Sequence, residues 1–211
     1  MVGQSLFVRA ARMNTATLQR NVDWACGSVR HPTRVMQREN FVVFQLAWFA
    51  AVLGSAHGLA VWGCACVLAA IGWHVATAAR PVAEARLVAA VLLVGLVLES
   101  AMAWQGFIGF ASGQLFPRTA PYWMVALWGL LAITLNVTLR WLKGRWWLAA
   151  AIGAVAGPLS FVSGARLGAA HFIAATPALA TLACVWAAAL PALMWLSSRF
   201  DGVIVSDMQS A

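Results

Sequence analysis

The chain has 211 residues, of which 63% are hydrophobic and only 9% charged, whereas about a quarter of the residues in an average soluble domain are charged. This composition excludes a soluble globular protein and indicates a membrane protein. The net charge of +8 does not indicate nucleic-acid binding, because the basic residues are scattered between apolar runs rather than gathered on one water-exposed face.

The first 38 residues are rich in arginine and poor in acidic residues, and they lack the apolar core of a secretory signal. We therefore predict a basic, disordered N-terminal extension over residues 1–38. Met36 lies four residues before the start of the first apolar run, "NFVVFQLAW". We expect the natural start of translation at Met36, with the upstream residues added by a mis-assigned start.

Six apolar stretches follow, each close to the length of about 20 residues that a membrane-spanning helix needs. They predict an all-α, polytopic membrane protein with about six transmembrane helices over residues 39–199, followed by a short tail over 200–211. The predicted helices lie near residues 40–56, 58–77, 86–105, 121–140, 146–165 and 172–196.

The orientation of the bundle follows from the basic residues, because cytoplasmic loops carry an excess of lysine and arginine. With the N-terminus inside, twelve of the basic residues fall on the cytoplasmic side, and the outer side keeps only Arg118 and Arg166. We therefore predict that both termini are cytoplasmic. The twelve are Arg9, Arg12, Arg20, Arg30, Arg34, Arg38, Arg80, Arg86, Arg140, Lys143, Arg145 and Arg199.

The longest connection, residues 105–120, is apolar and glycine-rich and carries a single charge. Two structures fit it: a flexible loop on the outer leaflet, or a short interfacial or re-entrant helix that lids a cavity. The flanking Trp104, Tyr122 and Trp123 are expected at the outer membrane interface, which aromatic residues of this kind prefer.

Small residues recur along the fifth predicted helix at Gly153, Gly157, Gly164 and Gly168. Helices in lipid associate through close packing of such residues, so we expect this helix at the centre of the bundle. Pro158 lacks a backbone donor and predicts a kink.

One acidic residue, Glu99, interrupts the third helix. A charge at the bilayer centre costs about 2.5–3.5 kcal/mol on insertion scales, so Glu99 should face the bundle interior and bind a proton or a cation. We predict a polar pocket formed by Glu99, Ser160, Ser163, Arg166 and Tyr122, with Arg166 reaching inward to pair with Glu99. The alternative is a carboxyl that hydrogen-bonds hydroxyl or backbone groups only to fix helix packing.

Other polar residues are predicted to have structural roles. Gln45 on the first helix and Asn136 on the fourth are expected to hydrogen-bond each other. His57, His74 and His171 occur singly, without the spacing of a metal site, and are expected at the interfaces. We predict no metal and no cofactor.

Four segments resemble one bacterial inner-membrane family, known as domain of unknown function 2878. These are "NFVVFQLAW" at 40–48, "PYWMVALW" at 121–128, "TLN" and "WL" at 134–136 and 141–142, and "GPLSFVSGARLGA" at 157–169. Phe161 stands where the family pattern has tyrosine, and Glu99 where aspartate is commoner. The resemblance implies a small multi-helix protein of the inner membrane and, through neighbouring genes for fatty-acid-modifying enzymes, a link to membrane lipid.

We therefore expect a non-enzymatic inner-membrane protein that assists lipid modification, or that binds or transports a small apolar solute. The alternatives are an intramembrane enzyme and a small proton-coupled transporter, both using Glu99. The expected partners are membrane lipid, a lipid-modifying enzyme, or a second copy of the chain joined through small residues such as Gly54 and Gly58; nucleic acid is not expected.

Alkaline phosphatase fused after Arg199 tests the predicted orientation. Because the enzyme folds only outside the cytoplasm, the fusion should be inactive, whereas a fusion within residues 105–120 should be active. An active Arg199 fusion would reverse the topology.

Overall fold

The computed structural model describes residues 32–203. The prediction of an all-α bundle with six helices is confirmed for these residues. The helices are α1 (Arg34–Ala56), α2 (Ala60–Thr77), α3 (Pro81–Gln105), α4 (Tyr122–Leu135), α5 (Trp146–Arg166) and α6 (Ala175–Arg199). Two short strands, β1 (Ile108–Phe110) and β2 (Ala170–Phe172), complete the regular structure.

Five of the six helices are long and apolar enough to cross a membrane, and α4 is the exception. It was predicted over residues 121–140 but ends at Leu135 after 14 residues, well short of the roughly 20 needed. The next residues leave the helix because their side chains bond other segments: Asn136 donates to Glu84 and Thr138 to Asn40. A 3-10 turn at Arg140–Leu142 follows.

The short α4 lies at the centre of the bundle. Nine of its 14 residues are buried, and it packs against α1, α2, α3 and α6. Its sequence is apolar on all sides, as expected for a helix surrounded by protein. The prediction that α5 is central is wrong: five of its 21 residues are buried, and it packs mainly on α6.

Close backbone contact holds α1 and α2 together as a hairpin. A Cβ atom at Gly63 would lie 2.5 Å from the Ala50 carbonyl oxygen and 2.7 Å from the Cα of Ala51. Gly54 faces Gly63 from α1, so it packs inside the hairpin. Gly58 adopts φ +75° in the connecting turn, which a residue without a side chain adopts readily.

The α5 and α6 hairpin is built in the same way. Gly153 and Gly157 lie directly against the backbone and the ring of Trp186, and α5 continues as a helix through Pro158. Gly168 was predicted to pack helices, but it ends α5 instead. Its φ is +88°, and the N–H of Gly168 and that of Ala169 donate to the carbonyls of Ala165 and Gly164, the hydrogen-bond pattern of a Schellman motif.

The connection between α3 and α4 forms neither the flexible loop nor the short interfacial or re-entrant helix that was predicted for it. Its β1 strand pairs antiparallel with β2, with Gly109 opposite His171. Ser112 donates to the carbonyl of Ser55 at 2.8 Å, and Trp123 donates to the carbonyl of Ser112 at 2.9 Å. Trp123 is therefore buried within the protein, where it anchors this connection.

The predicted domain boundaries shift at both ends. Thr33 accepts a hydrogen bond from the N–H of Met36 and caps α1, so residue 38 lies inside a helix. Residues 200–203 are packed at the start of the predicted tail, with the Gly202 N–H bonded to Glu84. The rest of the predicted extension and tail, residues 1–31 and 204–211, lies outside the described residues.

Gly63→Ala tests the contact between α1 and α2. The added methyl group would overlap the α1 backbone, so the free energy of unfolding should fall by about 1–3 kcal/mol. Gly72→Ala is the matched control on the same helix, because nothing lies within 4 Å of a Cβ there. Thermal unfolding in detergent measures both. Equal stability of the two variants would contradict this packing.

Candidate functional site

A cleft of about 690 Å³ lies between the two hairpins. One wall is formed by α1 and α4, and the other by α5 and α6. Because α1 packs mainly on α2 and α5 mainly on α6, α1 and α5 have little direct contact across it. Most of the lining side chains are apolar, among them Phe44, Trp48, Leu131, Ile152 and Phe161.

Glu99 reaches this cleft from α3 and is only 2% exposed. Its Oε1 accepts a hydrogen bond from the indole N–H of Trp128 at 2.9 Å. Its Oε2 is buried without a hydrogen-bond partner. Glu99 lies six residues before the end of α3, about 9 Å along the helix axis, within a helix that is long and apolar enough to cross a membrane.

Two tryptophans hold the Glu99 side chain in place. The Trp128 ring stacks on that of Trp186, with centroids 4.9 Å apart and planes 24° from parallel. Gly95, one turn before Glu99, makes room for the Trp128 ring, because a side chain at Gly95 would overlap it. The sequence prediction missed Gly95, Trp128 and Trp186, although the spacing of four places Gly95 and Glu99 on one helix face.

The structure brings most of the predicted pocket residues to this cleft. Glu99, Ser160, Ser163 and Arg166 all line it. Tyr122 does not, and packs instead in the apolar cluster around Trp123. Of the predicted packing residues, Gly153, Gly157 and Gly164 line the cleft, whereas Pro158 and Gly168 do not.

The predicted ion pair between Glu99 and Arg166 is not formed. Glu99 Oε2 has no partner, and Arg166 is exposed at the last residue of α5. The serines do not reach Glu99 either, because Ser160 donates to the carbonyl of Gly157 at 2.7 Å and Ser163 to that of Leu159 at 2.8 Å. Serine in an apolar helix commonly satisfies its hydroxyl in this way.

A second polar cluster surrounds Glu84 at the opposite end of the bundle. This carboxylate is fully buried and accepts three hydrogen bonds, from Asn136 Nδ2 at 2.7 Å, the Gly202 N–H at 2.8 Å and His74 Nε2 at 3.0 Å. Because a carboxylate only accepts, His74 Nε2 carries the proton. The cluster joins α2, α3, the end of α4 and the segment after α6.

Basic side chains extend the Glu84 cluster towards the surface of the protein. Lys143 donates to Asn136 Oδ1 at 2.6 Å and to Asp201 at 3.0 Å, and Arg140 pairs with Asp201 at 2.7 Å. Burial lowers the pKa of Lys143, against the opposing effect of Asp201. Burial by itself would raise the pKa of Asp201, but the hydrogen bonds and charges of Arg140 and Lys143 outweigh it and hold this pKa below the usual value of 3.8.

These contacts correct the predicted partner of Asn136. Asn136 does not bond Gln45, which lines the cleft instead. The hydrogen bond between α1 and α4 comes from Asn40, whose side chain donates to the Ile133 carbonyl at 2.9 Å. His74 is a buried partner of Glu84. Sequence reasoning missed Glu84, whose position in the first turn of α3 is typical of an ordinary exposed helix start.

The helices define a multi-pass helical membrane protein with a cleft between its two hairpins. Residues 38–192 match the family described as "Protein of unknown function (DUF2878)", and the chain belongs to this family. No curated protein and no solved structure matches the chain. Among residues 32–203, no group of three or more histidine, cysteine or acidic side chains is placed to hold a metal ion.

Asp201→Asn tests the polar cluster that contains Glu84, Lys143 and Asp201. A carboxyl with a lowered pKa stabilises the fold above its unfolded pKa, and this stability is lost as the pH falls through the folded pKa. At pH 7 the variant should be less stable by about 1 kcal/mol, the upper range for a partly exposed ion pair. The difference should shrink between pH 5 and pH 3.

Glu39→Gln is the control, since Glu39 is an exposed carboxylate on α1. It should leave the pH dependence of unfolding in detergent unchanged. If Asp201→Asn and wild type differ equally at pH 7 and pH 3, Asp201 does not act through its charge.

Proposed function

We propose that this protein binds the hydrocarbon chain of a membrane lipid in the cleft between its two hairpins. The observation that carries the proposal is the cleft itself. Its volume of about 690 Å³ lies in the range of about 300–1,000 Å³ typical of ligand sites.

The position of the cleft favours a ligand that arrives from the bilayer. Its two walls belong to separate hairpins, and α1 and α5, which have little contact, form its edges. Phe49 on α1 lines the cleft and is 43% exposed, so the apolar lining continues onto the outer surface. A lipid chain can enter sideways along such a surface without crossing water.

The lining supports a binding role more strongly than a reaction. The hydroxyls of Ser160 and Ser163 donate to carbonyls of their own helix, so neither is activated by Glu99. Transfer of a lipid chain to or from a modifying enzyme of the bacterial inner membrane is the biological role we infer. In this role the charged end with Lys143 and Asp201 faces the cytoplasm.

Photolabelling with a fatty acid that carries a diazirine at mid-chain tests the proposal. In lipid nanodiscs, labelled peptides should contain cleft residues of α1, α4 and α5. Gly164→Leu should reduce this labelling about tenfold, corresponding to about 1.4 kcal/mol. Nothing lies within 4 Å of a Cβ at Gly164, so leucine fills the cleft without overlapping the backbone.

Gly72→Leu provides the matched control, because Gly72 is exposed on α2 and its Cβ direction is also empty. It should leave the labelling of the cleft unchanged. Labels spread evenly over the outer surface, and insensitive to Gly164→Leu, would contradict binding in the cleft.

A further inference from the structure

Glu99 lines the cleft and has one hydrogen-bond acceptor without a donor. Trp128 occupies Oε1 at 2.9 Å, and Oε2 is buried without a partner. A buried acceptor without a donor is costly, and such groups are rare in folded proteins. By contrast, the other fully buried carboxylate in residues 32–203, that of Glu84, has three donors.

The nearby polar side chains of the described residues do not supply the missing donor. The hydroxyl protons of Ser160 and Ser163 are used within α5. Arg166 is at the end of α5, where its side chain is exposed. Gln45 lines the same cleft from the middle of α1, and no hydrogen bond joins it to Glu99 in the described residues.

We propose that the ligand of the cleft supplies this donor: a single-chain amphiphile with an O–H or N–H group that binds Glu99 Oε2. The inference rests on the proposed function and names the ligand's polar group. The hydrocarbon chain then lies against the apolar cleft wall, which includes Leu131, Leu139 and Ile152. The Trp128 hydrogen bond keeps the carboxyl oriented for this contact.

Competition between three matched ligands tests the inference. Dodecan-1-ol, dodecylamine and 1-methoxydodecane share a chain length, but the methyl ether has no donor. Each would compete with the diazirine fatty acid for labelling of the cleft in wild-type protein. We expect the alcohol or the amine, whichever binds better, to compete about tenfold more strongly than the ether. This factor corresponds to one buried acceptor that gains a hydrogen bond. The alcohol and amine arms distinguish a hydroxyl from an ammonium group.

Two substitutions of Glu99 assign the preference to this carboxyl. Glu99→Leu should remove the preference for a donor, so that alcohol and ether compete equally. Glu99→Gln keeps an acceptor for Trp128 but places an N–H₂ group at the free position, so the preference should be lost or reversed towards the ether. Glu39→Gln, on the exposed face of α1, should retain the wild-type preference.

The outcomes separate the two proposals. If all three ligands compete equally with wild-type protein, the donor inference fails and lipid binding in the cleft stands. If none of them competes and the cleft is not labelled, both proposals fail. The comparison on the unaltered chain decides the inference even where a Glu99 variant does not fold.

Discussion

Three hydrogen bonds to the buried carboxylate of Glu84 connect most parts of this bundle. The donors are the side chains of His74 and Asn136 and the backbone N–H of Gly202, which come from α2, the end of α4 and the segment after α6. A carboxylate removed from water must find such donors within the protein. Meeting this requirement fixes where α4 stops and where the chain after α6 is held.

The early end of α4 determines the shape of the interior. Asn136 leaves the helix to bond Glu84, and Asn40 of α1 bonds the carbonyl of Ile133 in the last turn of α4. A 14-residue helix enclosed by its neighbours then forms the centre of the bundle. The glycine contacts at Gly63 and Gly153 tighten the two hairpins internally, and the space between the hairpins remains as the cleft.

Glu84 and Glu99 lie on the same helix and have opposite surroundings. The first is fully provided with donors, whereas the second has one donor, from Trp128, and a buried oxygen without a partner, on a side chain that lines the cleft. A satisfied buried carboxylate holds a structure together, and one that is only partly satisfied has capacity for a ligand. The two ends of α3 therefore differ: the end with Glu84 is structural, and the end with Glu99 lies at the proposed binding site.

Composition and spacing alone determined the class of protein and the number of helices, because the length of an apolar run follows directly from the thickness of the bilayer. They also placed Glu99 inside the bundle, since a carboxyl facing lipid is too costly, and they selected Ser160, Ser163 and Arg166, which line the same cleft. The approximate helix bounds were correct for the long helices, where hydrophobicity is the dominant signal.

Only the tertiary structure decided which polar groups meet. The pairing of His74 with Glu84, of Asn40 with α4, and of Trp128 with Glu99 depends on helix rotation and on approaches that Gly95 and other glycines permit. An apolar helix with little amphipathic asymmetry does not reveal from its sequence which face meets which neighbour. The position of α5 at the edge of the bundle and the pairing of β1 with β2 were likewise set by contacts between segments far apart in the chain.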